Sequence, residues 1–257
     1  MPHRIHVRSQ SLRCVLLRCC MLEEFVVVDA PLLQRLFLSD LRCAIGRHHV
    51  RVRIACSAPN LRVLGYLDPR VHELQIADTV IKHDTMESPS TVVRGVKTLA
   101  LKVNFGVLGQ VQMLVSYLRC FPNVETLHIE SVLHGPSVTT DESTPEHHAN
   151  FWQNVSPVKC LRSRVKKMVL HKIQGDPNES EFLKFIAGDA RELQSLLVLP
   201  HEEIIISSMD KANEMIDKFE CPRFRAWASR VLLVLPGMEN VLRSSKAFDI
   251  TVDDPFF

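Results

Sequence analysis

The segment nearest to a catalytic motif is His201-Glu202-Glu203. A zinc hydrolase helix needs a second histidine at the fifth position, with the glutamate between the two as general base. That position is Ile205, so the trio reads as a polar turn after a strand. His147-His148 could suggest a metal, but no cysteine or acidic pair stands at ligand spacing, and a solvated loop is expected. The eight cysteines (14, 19, 20, 43, 56, 120, 160 and 221) contain no C-x-x-C pair, and Cys19-Cys20 is a poor arrangement for tetrahedral zinc. A nucleophile elbow, a phosphate loop and a dinucleotide fingerprint are all missing. Arg47, Arg51, Arg53, Arg62 and Arg70, with His48 and His49, form a basic cluster that could meet an acidic partner. An ordinary solvated face is the better reading of it. No catalytic, cofactor-binding or metal residue is assigned, and binding without catalysis is expected.

What the sequence repeats is a strand. Eight times an apolar residue is followed by two mostly polar ones, an apolar one, any residue and another apolar one, with anchors at Leu22, Leu33, Leu61, Val71, Val96, Val124, Val165 and Leu193. This is the strand core of a leucine-rich repeat, which buries alternate residues and offers the others to a shared surface. A single turn cannot bury its apolar face, so stability must come from stacking.

Composition fits a packed chain of 257 residues, with 46% hydrophobic and 23% charged residues. A formal net charge of +2 gives no whole-chain field toward nucleic acid or a membrane surface. No apolar run reaches the roughly 18 to 20 residues of a membrane span. Arg4, Arg8, Arg13 and Arg18 without an acid faintly suggest a presequence. Leu12-x-x-Val15-x-Leu17 fits the repeat spacing instead, so the array is expected to begin abruptly there. Reduced thiols in the cytoplasm or nucleus follow, and the acceptor patterns at Asn154 and Asn178 are then chance matches.

The anchors alternate between short and long intervals, which implies two walls. A weaker match at His49 completes a concave series of 22, 49, 71, 96 and 124, continued by 165 and 193. Leu33 and Leu61, each after Ala-Pro, are assigned to the returning wall. Strands near 25, 52, 74, 99, 127, 168 and 196 should then pair in parallel in that order. The apolar stripe from Val111 to Leu118 predicts that the return wall turns helical between residues 105 and 120. Residues 133–150 are polar and without period, an exposed insertion. Asn178 and Glu181 form a candidate capping box for the helix carrying Phe182, Phe185 and Ile186. Further elements are expected between 204 and 235.

The segments Ala58-Pro59-Asn60-Leu61, Val71-His72-Glu73-Leu74 and Phe121-Pro122-Asn123-Val124 resemble the leucine-rich repeats of plant F-box proteins. Val165 to Gly175, then Glu181-Phe182-Leu183, then Ala190-Arg191-Glu192-Leu193, is similar to the FBD domain that closes many of them. The resemblance implies an α/β fold: a leucine-rich-repeat solenoid with a curved parallel sheet and an irregular to helical return wall. It continues into an FBD-type strand-helix-strand part. Repeats are expected over 12–157 with the insertion at 133–150, the FBD-like part over 158–236, and a loose tail over 237–257.

The resemblance also implies a role as the substrate-recognition part of an F-box adaptor of a cullin–RING ubiquitin ligase. Nothing before Leu12 has the length of an F-box, so the ligase adaptor subunit is a partner only if an F-box lies upstream. The alternative is a stand-alone scaffold or decoy repeat protein without ligase attachment. The partner expected is an unknown substrate protein, with no nucleic acid and no membrane. On a concave face the residues two and four after each anchor point outward. The candidate protein-binding residues are therefore Glu24, Arg51, Arg53, Glu73, Gln75, Thr98, Thr126, His128 and Lys167, with Val26, Ala100 and Val169 beside them.

Overall fold

The computed structural model describes residues 4–43, 49–54, 58–76, 79–81, 92–132, 145–201, 249 and 251–256. Short strands alternate between two walls in the first part of the chain. They are β1 (Arg4–Arg8), β2 (Cys14–Arg18), β3 (Met21–Leu22), β4 (Glu24–Asp29), β5 (Arg35–Ser39) and β6 (Arg42–Cys43). Next come β7 (Val50–Ile54), β8 (Val63–Leu67), β9 (His72–Ile76) and β10 (Thr79–Ile81). Helices then enter: β11 (Thr98–Val103), α1 (Leu108–Cys120), β12 (Thr126–Ser131), α2 (Pro145–Asn154) and α3 (Lys159–Ser163). β13 (Lys167–Ile173), α4 (Pro177–Asp189) and β14 (Ser195–Pro200) follow.

Two main sheets result. One has the order β1-β4-β7-β9-β10 and the other the order β14-β13-β12-β11-β8-β5-β2. Neighbours pair in parallel throughout, except β9 with β10. One core lies between the walls, with Phe25, Val52 and Leu74 facing Leu36, Leu64, Leu99, Leu127, Met168 and Leu196. Each such side chain contributes about 1.5 to 3 kcal/mol by leaving water.

The strand order corrects the expected one. β11 pairs with β8 and not with β9, so the strands near 74 and 99 are not neighbours. Leu33 and Leu61 lead into the seven-stranded sheet, while the anchors at 22, 49 and 71 belong to the opposite wall. The repeat spacing cannot tell the walls apart, because both bury alternate residues against the same core. The turns can. Leu33, Leu61 and Val124 donate their N–H to Ala30, Ala58 and Phe121 at 3.0, 3.3 and 3.3 Å. Asn60 reaches back to the Pro31 carbonyl at 2.6 Å, and Asn123 to the Arg94 carbonyl at 2.9 Å. At the entry of each strand one carbonyl accepts two N–H groups from the next turn, from Arg13 through Gln34, Arg62, Lys97, Glu125 and Lys166. This ladder fixes the register of the whole sheet.

The return wall becomes helical at α1, within the expected interval. Its start is shaped by Asn104, whose side chain accepts from Gly106 N and whose N–H donates to Gln110. Its end falls just before Pro122, which cannot continue a helix. The cap of α4 lies two residues earlier than expected. Asp176 accepts from Glu179 N while Glu179 accepts from Asp176 N, with Pro177 at the first helical position.

Part of the expected insertion is also structured. Residues 133–144 lie outside the described residues, but Pro145 opens α2, and Trp152 stacks on Phe185 with ring centroids 4.6 Å apart. His148, expected in a solvated loop, is buried. The elements expected between 204 and 235 lie outside the described residues. Of the tail expected over 237–257, residues 249 and 251–256 are described, and Phe256 is fully buried against the seven-stranded sheet. One core runs from Leu22 to Val198, across the boundary expected at 157–158.

Candidate interaction surface

Alternate residues of a strand face opposite sides, so the seven-stranded sheet carries three rows of side chains directed away from the core. The first row is Cys14, Arg35, Val63, Thr98, Thr126, Lys167 and Ser195, each paired in register with the next. The second holds Leu16, Phe37 and Gly65, then Ala100, His128, Val169 and Leu197. In the third, Lys102, Glu130, His171 and Leu199 stand side by side. A register shift between Leu99 and Leu101 interrupts the pairing with β8 beside Tyr66.

The segment 251–256 lies on this face. The Phe256 ring meets Tyr66 and Phe37 edge-on, at centroid distances of 5.0 and 5.4 Å, and His128 at 5.2 Å. Each such aromatic contact contributes about 0.5 to 1.5 kcal/mol beyond area burial. Asp254 Oδ1 lies 2.9 Å from His128 Nε2 and Oδ2 lies 2.7 Å from Lys167 Nζ. The Arg35 guanidinium donates to the Val252 carbonyl.

Burial disfavours the Asp254 carboxylate, but His128 and Lys167 outweigh it and hold the group well below the usual carboxylate range. A carboxylate only accepts, so His128 carries its proton on Nε2. His128 Nδ1 lies 3.1 Å from His171 Nε2. Burial, with His128 adding to it, pushes His171 down to about 3. Beside the segment opens a groove of about 720 Å³. Its lining includes Arg62, Val63, Lys97, Glu125 and Asp253, and Lys97 and Glu125 form an ion pair across it.

The nine candidate residues do not share one face. Thr98, Thr126 and Lys167 stand in the first row of the seven-stranded sheet and His128 in the second. Glu24, Arg51 and Glu73 form a row on the other sheet, and Arg53 and Gln75 stand in the next row beside Val26. Glu24 is buried there between His6 at 3.6 Å and Arg53 at 3.9 Å. Of the basic cluster, Arg47 and His48 lie outside the described residues, Arg70 pairs with Asp68 at 2.9 Å, and Arg62 lines the groove.

Sequence reasoning missed Arg35, Phe37, Gly65, Tyr66 and His171. The signal was present. Arg35 and Phe37 occupied the outward slots of a strand assigned to the wrong wall, and a lone glycine in mid-strand marks a close approach; Tyr66 stood in an inward slot and joins this cluster beside the register shift.

Parallel strands entered once per turn, with strand or helix on the return, define a repeat module of the leucine-rich type, a class built for protein interaction. A family model described as FBD-associated F-box protein At5g56370, LRR repeats, matches residues 1–129, and the FBD model matches residues 153–198. The chain belongs to this family of FBD-associated F-box-protein leucine-rich repeats. Both matched domains are of a generally non-catalytic, interacting kind. No curated protein and no solved structure matches. Among the described residues no helix is long and apolar enough to cross a membrane.

Proposed function

We propose that this chain recognises a protein partner through the outward face of its seven-stranded sheet, as the substrate-recognition part of an F-box adaptor of a cullin–RING ubiquitin ligase does. The observation that carries the reading is the in-register row Thr98, Thr126, Lys167 and Ser195, of which Thr126, Lys167 and Ser195 are half-buried, beside the buried row Ala100, His128, Val169 and Leu197. Polar and apolar groups interleave there on a rigid hydrogen-bonded frame, which suits a protein surface better than a lipid or a nucleic acid strand. The partner is a cytoplasmic or nuclear protein, and the work done is binding without chemistry.

Proximity labelling in cells tests this with two variants. Thr126→Arg/Ser195→Arg crowds the seven-stranded face, whereas Glu73→Lys/Gln75→Lys alters the other sheet. The labelled partners should disappear with the first pair and persist with the second. Loss with the second pair alone would move recognition to the five-stranded sheet and contradict the proposal. Co-purification of the ligase adaptor subunit with the labelled partner separates an adaptor from a stand-alone scaffold.

A further inference from the structure

The segment 251–256 is held mainly by its side chains. Its backbone N–H groups bond locally, from Val252 N to Asp249 O at 3.2 Å and from Phe256 N to Asp254 Oδ1 at 3.3 Å. Among the described residues it is tied to the sheet by one carboxylate, one ring and the Val252 carbonyl. The receiving side is built for those groups. Gly65 has φ outside the left-handed region, so its backbone does not demand glycine. Space does: a Cβ there would lie 2.6 Å from Phe256 Cζ and 2.6 Å from Ala100 Cβ. Phe37, Tyr66 and Phe256, with Val63 and Ala100, form a cluster separate from the main core. Two basic side chains from adjacent strands, His128 and Lys167, converge on the Asp254 carboxylate.

We propose that this face takes, in trans, a peptide segment with a carboxylate two residues ahead of an aromatic ring. The chain's own Asp254-Pro255-Phe256 is the intramolecular occupant that such a partner displaces. This rests on the reading that the seven-stranded face receives a protein partner, and it specifies that partner's chemistry. A buried aromatic anchor beside a desolvated ion pair is the usual composition of a binding hot spot. Attachment in cis raises the effective concentration of the resident segment, so an incoming segment must compete with it.

Fluorescence anisotropy with a labelled peptide of sequence Asp-Ile-Thr-Val-Asp-Asp-Pro-Phe tests the proposal on the full chain. The Asp254→Asn/Phe256→Ala variant, with its own segment released, should bind the peptide at least 10-fold more tightly than the wild type. Lys167→Met on that background, or alanine for the peptide's phenylalanine, should each weaken binding about 10-fold. Equal binding by wild type and released variant, or indifference to both changes, would overturn the proposal. Should the double variant unfold, Asp254→Asn alone keeps the ring in place and must still raise peptide affinity several-fold. If Thr126→Arg/Ser195→Arg abolishes partner labelling while the peptide does not bind, the functional reading stands and this inference falls. If the peptide binds as stated but partner labelling ignores the face, the inference stands and the functional reading falls.

Discussion

Asp254 lies 2.9 Å from His128, a residue 126 positions earlier in the chain and fully buried in mid-sheet. The contact turns an outward-facing row of the seven-stranded sheet into an occupied surface. His128 is also held from its other side by His171, so the imidazole that meets the carboxylate cannot turn freely. Replacing Asp254 by asparagine removes the charge that both His128 and Lys167 face. Hydrogen exchange should then rise across residues 251–256 without any change in β11 to β14. Unchanged protection of that segment would show that Phe256 and the Arg35–Val252 bond hold it without the carboxylate.

Acid should weaken the fold through its buried histidines. His72 accepts from Asp68 N at 2.9 Å, and burial pushes it down to about 4. The native protein keeps this ring neutral where the unfolded chain would protonate it. Stability is therefore full above about pH 6.5 and is lost as pH falls from there toward 4. His171 acts in the same direction. Glu179 acts oppositely, since burial and Asp176 push it up to about 7, so stability from this group falls as pH rises from the ordinary carboxyl range through 7. Comparing one variant isolates one histidine. The difference in unfolding free energy between wild type and His72→Gln should shift by about 1 to 3 kcal/mol between pH 7 and pH 4.5. A difference independent of pH would refute the assignment.

The asparagine bonds between turns should be measurable. Asn123→Ala removes the bond to the Arg94 carbonyl and should cost about 0.5 to 1.5 kcal/mol in chemical denaturation. Asn60→Ala should cost a similar amount through the Pro31 carbonyl. If both variants match the wild type, these side-chain bonds contribute nothing beyond the backbone ladder.

Core and surface changes should separate cleanly. Leu127→Ala empties a site buried between β11 and β13 and should cost about 2 to 5 kcal/mol, loosening both neighbouring turns. Glu73→Lys, on the outer side of the other sheet, should shift stability by under about 0.5 kcal/mol. Thermal melts of the two variants decide the point.

How far the sequence could be read follows from what it encodes locally. The strand cores at Leu33, Leu61, Val96, Val124, Val165 and Leu193 were legible because each buries the same alternate residues. The helical return at α1 was legible from its apolar stripe. Which wall a strand joined was not, since two walls flank one core and give the same hydrophobic pattern. The Pro-Asn turns before Leu61 and Val124 distinguish them, through bonds that span 29 residues. Only half of the surface was legible. Thr98, Thr126, His128 and Lys167 followed from strand alternation, while Phe37, Gly65 and Tyr66 were hidden by the wall assignment. The docking of Phe256 has no local signal, because it joins a terminal segment to the middle of the sheet.

Hydrogen exchange on the complex with a partner captured by proximity labelling tests the central claim most directly. The account predicts new protection at residues 98–102, 126–130 and 167–171, together with exposure of 251–256 as that segment leaves. Protection confined to 24–27, 50–54 and 72–76, with 251–256 undisturbed, would contradict it.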